Sequence, residues 1–211
     1  MKKFLLTSIG AILLLAACNN QSKKETEKTD SIEVSQPVEN IPDTSTTGTL
    51  STINLDSIPV SSAEIGTFPY FTPPAGTKIV NNPKVKTFDI LLIAMPDGKL
   101  AKKEGKVFGA FIQEDKTNQE SVSNALINKT YEDAILKAGG VKLFEGKLSD
   151  DQIKLYDEQA TNKGTDGSLD VYNNVIKSYI IKRADGDIYI QLENTGINSG
   201  TYQIVQEIPK K

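Results

Sequence analysis

The chain contains no histidine and one cysteine, Cys18. Zinc sites built mainly from Cys and His are therefore out of reach. Ser-His-Asp and Cys-His nucleophilic centres are excluded as well, and no disulfide can form within the chain. Positive charge is neither abundant nor concentrated: 24 Lys and Arg stand against 27 Asp and Glu, a net charge of −3. Nucleic-acid binding calls for a concentrated basic face, and anionic lipid headgroups call for a polybasic stripe; neither is present. The apolar stretch at 4–15 is about a dozen residues, short of the roughly 20 that a helix needs to cross a bilayer. What stays open is carboxylate, Lys or Tyr catalysis, and hard-cation binding through oxygen ligands. No cofactor is expected.

The N-terminus is the most legible part. Met1-Lys2-Lys3 precedes the apolar stretch, and Leu15-Ala16-Ala17-Cys18 closes it. A positive start, a short apolar centre and small residues at a cleavage point form an export signal. The Leu-Ala-Ala-Cys ending resembles the lipobox of bacterial lipoproteins. That resemblance implies removal of a signal peptide at 1–17 and acylation of Cys18 on its sulfur and its new amine. The membrane would then be met through the lipid anchor at Cys18, since each buried methylene contributes about 0.8 kcal/mol and several chains hold where one is marginal. Asn19 follows the cysteine where Asp would suggest inner-membrane retention in enteric-type sorting, so the outer membrane is expected. An ordinary signal peptide with an incidental cysteine is the plainer alternative.

Residues 18–55 form the lipidated cysteine and a tether. Asn, Gln, Ser, Thr, Lys, Glu and Pro dominate it, with isolated Ile32, Val34, Val38 and Ile41. Such a segment buries too little apolar surface to offset the entropy of ordering it. It reads as a flexible leash or a simple spacer.

A single globular domain is expected over 56–211, long enough for a packed core without disulfides. Prolines and glycines forbid a regular helix over 63–76, yet Phe68-Pro69-Tyr70-Phe71 is too apolar for a free linker. Either this stretch lies across the domain's own sheet or it is an exposed patch for a partner. We expect Phe68 and Phe71 to face inward and Tyr70 to stay accessible at the rim as a partner contact. Residues 87–93 and 106–112 read as neighbouring antiparallel strands around the Met95-Pro96-Asp97-Gly98 turn. A helix follows, starting either at Thr130, with Asp133 as capping partner, or near 121. The longer version carries a stripe of Val122, Leu126, Tyr131, Ala134, Ile135 and Ala138. Gly139-Gly140 ends it. A strand at 141–145, a short helix opened by Ser149 and Gln152, and strands at 175–182, 188–193 and 202–207 complete the order β-β-α-β-α-β-β-β. This is an α+β domain: a mostly antiparallel sheet with two helices packed on one face.

Several segments resemble a known module: Glu104-Gly105-Lys106, Asn128-Lys129-Thr130-Tyr131-Glu132-Asp133-Ala134-Ile135, Gly139-Gly140-Val141-Lys142-Leu143-Phe144-Glu145-Gly146, Asp187-Ile188-Tyr189-Ile190-Gln191-Leu192 and Tyr202-Gln203-Ile204-Val205. Together with Gly66-Thr67-Phe68-Pro69-Tyr70-Phe71 they are similar to the periplasmic α+β module found before OmpA-like peptidoglycan-binding domains. The resemblance spans about 56–208. It implies a structural or binding role, and it supplies no catalytic residue. No OmpA-like domain follows in the sequence, so a lipid anchor is expected in place of a wall anchor.

Acidic pairs are the candidate enzyme and metal residues. Asp150-Asp151 sits where a helix begins and suits its dipole. Asp185 and Asp187 flank a hairpin glycine. Asn162, Asp166 and Asp170 carry oxygen ligands, but their spacing misses the calcium-loop pattern. Gly139-Gly140 closes a helix, whereas a phosphate cradle opens one. No catalytic residue and no metal ligand is therefore assigned. The expected function is a non-catalytic cell-envelope lipoprotein whose domain binds a protein or glycan partner. The alternative is a histidine-free carboxylate enzyme acting on envelope glycans, and a surface adhesin or immunity protein is a third reading.

Overall fold

The computed structural model describes residues 53–209. The signal sequence, Cys18 and the tether up to residue 52 lie outside the described residues. After a short 3-10 turn at Leu55–Ser57 come β1 (Thr77–Val80), β2 (Lys86–Ala94), β3 (Leu100–Glu114), α1 (Asn124–Lys137), β4 (Val141–Gly146), α2 (Asp150–Gln159), β5 (Ile176–Ile181), β6 (Ile188–Asn194) and β7 (Ser199–Glu207). The sheet runs β1-β3-β7-β6-β5-β4, with β2 also paired to β3, and each of these pairings is antiparallel. The fold is the α+β class that the element pattern implies. One strand, β1, is additional: its four residues follow directly on the proline-rich stretch and are too few to carry a period.

Local chemistry explains the boundaries. Gly98, at φ 75°, turns β2 into β3 and donates to the Met95 carbonyl at 2.8 Å. Helix α1 starts at Ser123, whose hydroxyl accepts from Leu126 N–H at 3.2 Å, so the longer of the two expected helices forms. Thr130 sits inside that helix and donates to the Leu126 carbonyl. The buried stripe is Ile127, Tyr131 and Ile135, at four-residue spacing, while Leu126 points outward and is half exposed. Helix α2 does start after Ser149, but the expected capping pair is not made. Gln152 instead accepts from Leu100 N–H at 2.7 Å, tying α2 to the start of β3.

Both faces of the central strands are buried. On one face Ile188, Ile190, Leu192, Tyr179 and Ile204 pack with Phe108, Ala110 and the buried stripe of α1. On the other, Tyr189, Ile180, Val205 and Val107 pack against Leu91 and Ile93 of β2. The long β3 makes this possible. Its first half pairs with β2 and its second half with β7, and Gly105 stands at the change. A Cβ there would lie 2.0 Å from the Gln206 carbonyl oxygen, so no other residue fits. Leu92 and Ala94, on the far side of β2, meet Tyr156 of α2 together with Phe144 and Ile176. The C-terminal half of β2 is thus buried on both sides, which accounts for its unbroken apolar run. Among the described residues no helix is long and apolar enough to cross a membrane.

A strand enclosed in this way needs partners for its free edge. Met95 N–H donates to the Lys99 carbonyl at the hairpin turn, so Leu92 and Ala94 direct their backbone groups away from β3. Gln191, fully buried on β6, answers both: its Nε2 donates to the Leu92 carbonyl and its Oε1 accepts from Ala94 N–H, each at 3.0 Å. The Ser178 hydroxyl donates to the Ala94 carbonyl. Gln191→Leu should keep the volume but orphan two buried backbone groups, costing about 2–4 kcal/mol. Urea denaturation would show a clear drop in midpoint; an unchanged midpoint would mean that pairing with β3 and apolar contacts hold β2 without the Gln191 amide.

Candidate functional site

Residues 58–73 cross the domain as an irregular strap fastened to the end of α1, to the β5–β6 hairpin and to β7. Ser61 N–H donates to the Lys182 carbonyl at 2.8 Å, and its hydroxyl donates to the Ala138 carbonyl at the end of α1 at 2.7 Å. Arg183 reaches back and donates to the Ala63 carbonyl at 2.6 Å. Pro69 accepts from the Tyr202 hydroxyl at 2.7 Å. The Tyr70 hydroxyl donates to Gln206 Oε1 at 2.6 Å, and Gln206 in turn donates to Asp185. The Phe68–Pro69 peptide is cis, and Tyr70 adopts a left-handed φ of 68°. That backbone conformation costs about 1–2 kcal/mol for a residue with a side chain. The Tyr70 N–H bond to the Thr67 carbonyl and the Phe71 N–H bond to the Pro69 carbonyl, both 2.8 Å, help to offset it.

Phe68, Tyr70 and Phe71 are all half-buried and all pack against the α1-side cluster. The three rings therefore belong to one class, in place of a clean division between inward phenylalanines and a rim tyrosine. Phe68 and Tyr70 meet edge-on with centroids 5.5 Å apart, and the Lys106 ammonium lies 4.8 Å from the Phe68 ring centroid.

Under and beside the strap lies a cleft of about 530 Å³. Its walls are Phe68, Tyr70 and Phe71 from the strap, Ile79 and Asn82 near β1, Phe108 and Ile112 from β3, Tyr131 from α1 and Tyr202 from β7. Tyr131 and Tyr202 stack with centroids 5.1 Å apart and planes 13° from parallel. Burial pushes both phenols above their ordinary range, and at Tyr70 burial and then the Asp185 carboxylate act in the same direction. The Tyr202 hydroxyl is satisfied by Pro69, but the Tyr131 hydroxyl, on a side chain only 3% exposed, has no hydrogen-bond partner among the described residues.

No family model, curated protein or solved structure matches the chain.

The acidic candidates are dispersed. Asp150 and Asp151 are exposed in the first turn of α2. Asp166 accepts from the Asn81 amide at 2.7 Å, and Asp170 accepts from Asn173 and Tyr172 within its own loop. Asn162 is buried, and its carbonyl caps the turn at Thr165. Asp187 pairs with Lys182 at 2.8 Å and Asp185 with Arg183 at 3.4 Å. Among the described residues no group of three or more Asp, Glu, His or Cys is placed to hold a metal ion. Gly139, at φ 80°, closes α1 by donating to the Leu136 carbonyl. Cys18 lies outside the described residues.

Sequence reasoning singled out the strap but missed the other wall. Tyr131 is legible only as part of a helical stripe and Tyr202 only as a strand residue; nothing local marks either as facing a cleft. Tyr202→Phe should remove the clasp on Pro69 at a cost of about 1 kcal/mol. Limited proteolysis should then cut faster within 67–73, and an unchanged cutting rate would show that the rings alone hold the strap. Phe71→Ala should lower the free energy of unfolding by about 1–2 kcal/mol, as befits a half-buried ring, and urea denaturation would measure it.

Proposed function

We propose that the chain is a non-catalytic lipoprotein of the cell envelope, anchored through acyl chains on Cys18. Its 56–211 domain serves as a binding module, with the strap cleft as its contact site. The observation that carries the binding role is the cleft of about 530 Å³ beside the strap, lined by the half-buried rings of Phe68, Tyr70 and Phe71, since concave and largely apolar clefts of this size are the usual form of a binding site. Tyr70, half-buried at the strap, is the partner contact in this reading. The lipobox supports the anchor, and the similarity to the module found before OmpA-like domains supports an envelope setting. Asn19 after the cysteine supports the outer membrane.

A second reading, a carboxylate enzyme acting on envelope glycans, draws on a different place. Glu104, Asp187 and Glu207 line one cleft of about 590 Å³ with Lys182 and Arg183. Glycoside hydrolysis needs two carboxyl groups about 5–10 Å apart across the scissile bond. Asp187 is engaged by Lys182 and Glu207 by Lys103, at 2.8 and 3.3 Å, which favours charge balance over turnover. Release of reducing ends from envelope glycans that is abolished by Glu207→Gln would favour this second reading.

Two outcomes are expected in intact cells. Cys18→Ser should leave an uncleaved or soluble product by fractionation; normal processing and membrane association would remove the anchor. A photo-crosslinker at position 70 should capture an envelope component, and one at exposed Asp151 should not. Equal labelling at both positions would remove the strap cleft as the contact site.

A further inference from the structure

We infer that β4 is a docking edge for a second copy of this chain: two β4 strands pair antiparallel about a two-fold axis and join two sheets into one. The inference stands on the fold and is independent of the strap cleft. The edges of the sheet are finished in different ways. Strand β1 has four residues, with Pro73 and Pro74 before it and Pro83 after it. The outer groups of β2 are met by side chains, Gln191 and Ser178 at Leu92 and Ala94 and the Thr161 hydroxyl at the Ile90 carbonyl. Strand β4 has six residues, no proline, and β5 as its one strand partner. Among the described residues no backbone group outside β5 is hydrogen-bonded to it. A row of free N–H and C=O groups is a template for another strand, and charges or a bulge ordinarily guard it. Here both guards are present, in an arrangement that a second β4 matches.

The register between β4 and β5 shifts at Leu143, which has no opposite number on β5. This bulge brings Lys142 and Glu145 to one side of the sheet, where strict alternation would put them on opposite sides. On that side Lys142 pairs with Glu132 of α1 at 2.6 Å and Glu145 with Lys177 at 3.1 Å. Leu143 and Phe144 face the other way, into the clusters that hold Leu91 of β2 and Tyr156 of α2. A two-fold axis between positions 143 and 144 sets Lys142 opposite Glu145 of the second copy and Leu143 opposite its Phe144. Each side chain then meets one on its own face, and both charged pairs are opposite in sign. Moving the axis by half a residue or by one residue sets a charged side chain against Leu143 or Phe144 on the other face. Moving it by one and a half residues sets Lys142 against Lys142, or Glu145 against Glu145. One register therefore satisfies both faces and both charges. A foreign strand would need the same irregular pattern, whereas a second copy supplies it by symmetry. The contact is a single strand pair, so the association is of the weak, reversible class.

The test uses the full chain carrying Cys18→Ser, so that an introduced cysteine is the sole thiol. Sedimentation should show a dimer that grows with concentration. Lys142→Glu and Glu145→Lys should each raise its dissociation constant by about tenfold, since either change puts like charges opposite one another at two places. Mixed in equal amounts, the two variants should dimerise again, because both cross-strand pairs are then opposite in sign. A second readout leaves the charge reversals aside. Under mild oxidation, Lys142→Cys mixed with Glu145→Cys should form a disulfide between copies. Lys142→Cys alone should not, because its two copies lie about three residues apart along the strands, beyond disulfide reach. A monomer at every concentration, a dimer indifferent to both reversals, or a disulfide formed equally well by Lys142→Cys alone would each overturn the inference. So would protection of the β4 amides from hydrogen exchange in a monomer, which would give the edge to another segment of the same chain.

Discussion

A side-chain amide does for one edge of β2 what a neighbouring strand would otherwise do. The sheet is covered on one face by α1 and on the other by its own first hairpin, so β2 is enclosed between β5–β6 and α2. Apolar packing favours that enclosure but cannot satisfy the backbone groups it hides. Gln191 supplies one donor and one acceptor to Leu92 and Ala94, and the Ser178 hydroxyl meets the remaining carbonyl. Gln203 extends the arrangement by donating to the Gly167 carbonyl, which fixes the loop after α2 against β3. Gly167 has φ 71°, and a Cβ there would come within 2.2 Å of Ala110 N, so loop and strand meet backbone to backbone. The buried polar residues of β5–β7 are thus the fittings by which the second layer is attached to the first.

The strap depends on the opposite face of the same sheet. Its contacts reach α1 through Ser61, the β5–β6 hairpin through Arg183 and β7 through Tyr202 and Gln206. These hydrogen bonds are spread over three elements, so the strap cannot shift as a whole without breaking several at once. A cleft framed by such a segment is already in shape before anything enters it, which lowers the ordering cost of binding.

Much of the fold was readable because its signals are local. The Met95–Gly98 turn, the Gly139 helix stop and the strands at 188–193 and 202–207 each rest on a few adjacent residues. The start of α1 was ambiguous because Thr130 with Asp133 mimics a cap, and tertiary burial of Ile127 and Tyr131 decided in favour of Ser123. Gln152 misled for a related reason: the capping pattern is intact, but Leu100 N–H, some fifty residues earlier in the chain, takes the side chain. The site was half legible. Aromatic density picked out Phe68, Tyr70 and Phe71, whereas Phe108, Tyr131 and Tyr202 come together only once β3, α1 and β7 are in place.

The lining of the strap cleft holds no ionisable group except its tyrosines, and burial raises the phenols of Tyr70, Tyr131 and Tyr202 alike. Salt therefore has no ion pair to screen there, and protons have no group to titrate until well into alkaline conditions. In the envelope setting we propose, the domain would meet swings in ionic strength and acidity that the cell interior does not. A grip made of ring faces and hydroxyls would hold equally well in brine and in fresh water.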